Sequence, residues 1–174
     1  CACEKHLARM EEICGERLSR AQLRRLAFSG APNRYRAAWL KAQAESLIGL
    51  AKRCRARLNA IDPAIQLGFC ACLSSWGVDG ADAIALTRAF AGGAKPFLRT
   101  IGAPYWNVRH NWGARLGDII ELTRLQAHWC EGSGIELFAE GDVYPRPRFS
   151  CPAAYLECFD TALRAAGCLD GILK

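Results

Sequence analysis

Apolar residues recur every three or four positions through the first third of the chain, and later gather into short unbroken runs separated by helical stretches. His6, Leu7, Met10, Ile13 and Cys14 lie at spacings of three and four, which predicts a helix that Gly15 stops. Ser19-Arg20-Ala21-Gln22 has the form of a capping box and predicts a short helix ending near Gly30. A long helix follows from Asn33 to about Asn59. Leu47, Ala51, Cys54, Leu58 and Ile61 are expected on its buried stripe, and Asp62-Pro63 ends it because proline forces the preceding residue out of the helical region.

Beyond that point a unit repeats. Ile65 to Cys72 reads as a strand, and Asp79 as the cap of a helix from Ala81 to Ala91 that stops at Gly92-Gly93. The next strands are Pro96 to Gly102, Gly134 to Ala139 and Leu169 to Lys174, with helices from Asn111 to Cys130 and from Pro152 to Ala166 between them. Strand starts at 65, 96, 134 and 169 imply βαβ units and a parallel sheet, and the apolar runs imply cover on both faces. The expected organisation is one incomplete domain, with a helical segment over residues 1–62 and successive β/α units over 63–174.

Polar and aromatic residues cluster just after each strand: Ser74, Ser75, Trp76 and Asp79; then Arg99, Tyr105 and Trp106; then Glu140, Asp142, Tyr144, Arg146 and Arg148. Carboxyl ends of parallel strands carry the sites of α/β folds. Long aromatic-rich loops at three successive strand ends, with no GxGxxG or P-loop, predict a partial (β/α)8 barrel of about strands five to eight. A complete barrel needs about 250 residues, so the chain is expected to form about half of one.

Glu140 ends an apolar strand beside Gly141, where a carboxylate can act as nucleophile or base, with Arg146 and Arg148 near enough in sequence to pair with it or hold an anion. The competing structural role is a turn cap paired with Arg146. Trp76, Tyr105, Trp106 and Trp112 offer flat faces for sugars or bases, while Trp39 and Trp129, inside helices, are expected in the core. His110 has no identifiable partner in the sequence. Cys1, Cys3 and His6 carry soft donors at short spacing, the chemistry of a zinc site that lacks its fourth ligand.

Composition narrows the class without choosing the function. At 51% hydrophobic and 23% charged the chain is neither disordered nor low-complexity, and no apolar run is long enough to span a bilayer. Glu4, Lys5 and His6 near the start do not read as a secretory leader. The net charge of +6 is uneven, with 13 Lys/Arg against 5 Glu in residues 1–60. That basic half is expected to be solvated helix faces more than a nucleic-acid surface. Ten cysteines show no disulfide framework; Cys54, Cys70, Cys72, Cys158 and Cys168 are expected as small buried apolar groups, and the setting as reducing and cytoplasmic.

These residues resemble the later part of a clan-A glycoside hydrolase barrel, in layout most similar to the family 42 β-galactosidases and their uncharacterised bacterial relatives. Cys1-Ala2-Cys3-Glu4-Lys5-His6 is similar to that family's Cys-x-Cys-x-x-Cys segment, often a zinc site, with His in place of the third Cys. Phe138-Ala139-Glu140-Gly141-Asp142 is similar to the segment that holds the family's nucleophile at the end of strand seven. Arg99-Thr100-Ile101-Gly102-Ala103-Pro104-Tyr105-Trp106 also resembles bacterial members. The sequence after Glu140 departs from the family 42 pattern.

The resemblance implies a retaining glycosidase with Glu140 as nucleophile and an acid/base carboxyl about ten residues ahead of Cys1. Trp76 and Trp106 would stack on a sugar, and Asp79, Arg99, Tyr105, Asp142 and Tyr144 would meet its hydroxyls. Arg146 and Arg148 would suit an acidic sugar. A structural zinc is the only cofactor implied, and a carbohydrate the expected partner, with no membrane. The alternatives are a nucleic-acid- or anion-binding module using the basic helices, and a barrel enzyme of another reaction class.

Overall fold

The computed structural model describes residues 2–77, 79–103, 112–141 and 152–173. It is a mixed α/β structure in which α1 (Glu4–Cys14), α2 (Arg20–Ala27) and α3 (Arg34–Asn59) precede alternating strands and helices. These are β1 (Phe69–Cys70), α4 (Ala83–Ala91), β2 (Phe97–Arg99), α5 (Trp112–Trp129), β3 (Glu136–Glu140), α6 (Ala153–Ala166) and β4 (Gly171–Leu173). The four strands are parallel in the order β1-β2-β3-β4. Among the described residues they form an open sheet; a closed barrel is not shown. No described helix is long and apolar enough to cross a membrane.

The helical third follows its local signals. Gly15 ends α1 in the left-handed conformation, and Ser19 and Gln22 exchange both bonds of a capping box. Asn33 caps α3 by accepting from the N–H groups of Tyr35 and Arg36. Leu7, Met10, Leu18 and Leu23 pack with Ala38, Trp39 and Ala42 into one core. The far half of α3 instead packs on α4 and β1, through Ile48, Ala51, Leu86 and Phe69.

That change of partner corrects the expected stripe. Ala51 is buried and Cys54 and Leu58 are half-buried, but Leu47 is exposed and Ile61, beyond the helix end, is 78% exposed. The buried line runs through Ala38, Trp39, Ala42, Ala51 and Arg55. Arg55 also shortens the first strand. Its Nη1 donates to the Ile65 carbonyl at 2.7 Å, and the Asp62 carboxylate accepts from Ala64 N–H. The run from Ile65 to Gly68 is therefore held outside the sheet, and only Phe69 and Cys70 pair with β2.

The helix cap is Asp82 and not Asp79: its carboxylate accepts from Ala85 N–H at 2.9 Å. The preceding turn is pressed against α3, since a Cβ on Gly80, at φ +77°, would lie 2.2 Å from the Leu40 carbonyl oxygen. Asp79 is left exposed in that turn.

The cysteines depart from expectation. Cys70, Cys72 and Cys158 are exposed and Cys54 and Cys168 half-buried, whereas Cys130 is buried in the layer between sheet and helices. Leu98, Leu137 and Ala139 face that layer, where Ile119, Phe159 and Leu163 complete the packing. By strand alternation Phe97, Arg99, Phe138 and Glu140 face the other side.

Candidate functional site

Glu140 closes β3 opposite Leu173 and is only 5% exposed. Its Oε1 lies 3.2 Å from Nη2 of Arg99, and Gly102 N–H donates to Oε2 at 3.3 Å. A carboxylate this buried needs such partners, because desolvation otherwise costs more than its bonds return. Arg99, one strand away on the same face, supplies the opposite charge while remaining 26% exposed. The site therefore joins Glu140 and Arg99 as an ion pair between neighbouring strands; Arg146, the partner expected from the following turn, lies outside the described residues.

The path after β2 is shaped to bring Gly102 to Glu140. Thr100 N–H continues the ladder to the Phe138 carbonyl, and Gly102 takes φ +130°. A Cβ there would also approach Thr123 Oγ1 to 3.2 Å. Gln126, fully buried on α5, clamps the same segment: its Nε2 donates to Ile101 O at 2.6 Å and its Oε1 accepts from Ile101 N–H at 2.9 Å. That Oε1 also accepts from the Trp76 indole at 3.1 Å. Sequence reasoning missed Gln126; its signal is a pair of polar residues, Thr123 and Gln126, on the inward side of an otherwise apolar helix face. Cys70 was also missed, an exposed thiol paired in register with Arg99 at the site's edge.

Two expected residues stand elsewhere. Trp76 packs with the helix-facing cluster of Ala71, Ala83 and Leu98, on the opposite side of the sheet from Glu140. Its ring lies 5.1 Å from that of Trp129, which is 44% exposed and not in the core as expected. Asp79 is not brought to the site by any described contact. Tyr105, Trp106, His110, Asp142, Tyr144, Arg146, Arg148 and Cys1 lie outside the described residues, as does the side chain of Trp112.

Cys3 and His6 do meet, with Sγ 3.6 Å from Nδ1. The exposed Cys3 thiol is lowered from 9.0 to about 7, first by the backbone N–H and then by the ring of His6. A structural zinc takes four donors, and among the described residues no group of three or more His, Cys, Asp or Glu is placed to hold a metal ion. The two donors described do not fit a closed site.

The arrangement as a whole is a buried carboxylate, charge-paired and hydrogen-bonded, at the carboxyl edge of a parallel sheet. Such a group can attack an electrophilic carbon or accept a proton, and Arg99 and Gly102 fix which way its oxygens point. No protein-family model, curated protein or solved structure matches the chain.

Proposed function

We propose that the chain is part of a retaining glycosidase in which Glu140 is the nucleophile, within a (β/α)8 barrel of which β1 to β4 make up one half. The observation that carries this reading is the placement of Glu140: buried, at the carboxyl end of β3, and held by Arg99 and Gly102. Carboxyl ends of strands carry the chemistry of barrels. The guanidinium and the Gly102 N–H hold the carboxylate oxygens in one orientation, as a nucleophile requires.

In the reaction an oxygen of Glu140 attacks the anomeric carbon as the bond to the leaving oxygen breaks. A second carboxyl group, about 5–5.5 Å away, gives its proton to that oxygen. The same group then takes a proton from water, which attacks the anomeric carbon, releases the sugar and restores Glu140. The resemblance puts that second group ahead of Cys1. These 174 residues alone therefore supply one carboxyl of two and are expected to turn nothing over. Turnover of aryl glycosides by them alone would contradict the proposal.

The test is Glu140→Gln in the protein that contains this chain together with the second carboxyl, assayed on a set of 4-nitrophenyl glycosides. Loss of at least about a thousandfold in kcat/KM is expected, and wild-type rates would remove Glu140 from the role. The anion-binding alternative draws less support, because Arg9 on α1, Arg17 between α1 and α2, and Arg34 on α3 are already paired with Glu45, Glu11 and Glu16.

A further inference from the structure

We propose that the cleft between α3, the β1–α4 segment and the end of α5 is a binding site for a small planar aromatic acid. The cleft has a volume of about 580 Å³ and is lined by Leu40, Lys41, Ala44, Trp76, Ile84 and Trp129, with Asp82 at its rim. This is the size of a ligand pocket. It is separate from the Glu140 site, because Trp76 packs on the helix-facing side of the sheet and Glu140 points to the other. The proposal does not depend on the glycosidase reading.

Three features select the ligand. The first is the aromatic pair: two indoles pack on each other with centroids 5.1 Å apart and tilted by 51°, and Trp129 is left 44% exposed beside the cleft. A flat ring laid against that exposed indole gains stacking and edge contacts that water does not provide. The second is the shortage of free hydrogen-bonding groups in the walls. The Trp76 indole N–H is taken by Gln126 and Gly77 N–H by the Ala81 carbonyl, and the Ser75 hydroxyl oxygen accepts from Cys72 N–H. A sugar's many hydroxyls find few partners on those walls, whereas an aromatic ring asks for none. The third is charge. Lys41 is exposed and forms no ion pair with any described residue, while the Asp82 carboxylate, also on the cleft, already caps α4 through Ala85 N–H. The ammonium is the cation that the cleft offers to a carboxylate on the ligand.

The walls are formed in advance. Gly80 is seated on the Leu40 carbonyl, the Trp76 and Asp82 backbones form a bridge, and Gln126 anchors the Trp76 ring. Binding therefore orders little of the protein, which favours affinity for a small ligand.

The probe is 2-naphthoate, titrated into the 174-residue chain and followed by the indole N–H resonances, which Trp→Phe variants assign. Saturable shifts confined to Trp76 and Trp129 are expected. Trp129→Ala, at an exposed position, should weaken binding at least about tenfold. Lys41→Gln should weaken it about threefold or more and remove most of its salt dependence. Cyclohexanecarboxylate, which lacks the flat ring, should bind more weakly than the probe. Absence of saturation at about 10 mM, tighter binding of cellotetraose than of naphthoate, or unchanged affinity in Trp129→Ala would each overturn the proposal and leave the Glu140 reading as it stands.

Discussion

Replacing Arg99 by Met keeps most of the side chain's apolar bulk and removes the cation beside Glu140. The carboxylate is 5% exposed and keeps the Gly102 N–H at 3.3 Å, but the Arg99 guanidinium at 3.2 Å is gone. Breaking a fully buried pair from one side costs about 3–5 kcal/mol. Arg99 is 26% exposed, so water already screens part of the interaction, and about 2 kcal/mol is the appropriate scale. For a chain of this size that is a fall of about 4–8 °C in Tm. Urea denaturation of the two proteins at pH 7 measures this. A deficit under about 0.5 kcal/mol would refute the assignment of Arg99 as an ion-pair partner that stabilises Glu140.

Three further outcomes follow from other parts of the fold. Gln126→Leu leaves the N–H and carbonyl of Ile101 and the Trp76 indole without their partner, and should cost about 2–4 kcal/mol in denaturant unfolding. Gly80→Ala puts a methyl 2.2 Å from the Leu40 carbonyl at φ +77°, and a loss of at least about 2 kcal/mol is expected in the same assay. The Cys3 thiol, at about 7, should be alkylated by iodoacetamide at pH 7 before the buried Cys130, whose thiol is pushed up by burial. Peptide mapping reads that order, and His6→Ala should slow Cys3 several-fold.

Much of this architecture is legible residue by residue. Gly15, the Ser19–Gln22 box, the start of the long helix at Asn33 and the alternation of strand with helix act locally, and the structure carries them as the sequence predicts. What the sequence hides is set by contacts between distant segments. Ile65 looks like strand until Arg55, ten residues earlier, takes its carbonyl. Asp79 looks like a cap until Gly80 must fit against α3 and the helix starts later, at Asp82. Trp129 has the appearance of a core residue in its helix, yet it sits at the end of α5 against a cleft. The same holds for the site. Glu140 is marked by its place at a strand end, whereas its pairing with Arg99 and Gly102 depends on strand register that no local pattern encodes.

The central claim is that Glu140 attacks an anomeric carbon. Trapping measures it most directly: the protein that contains this chain and the second carboxyl is incubated with 2,4-dinitrophenyl 2-deoxy-2-fluoroglycosides, and its peptides are weighed. The account predicts one fluoroglycosyl group per protein, displacing one dinitrophenolate, on the peptide that carries Glu140 and absent from Glu140→Gln. A group attached to any other residue, or hydrolysis that continues in Glu140→Gln, would contradict it.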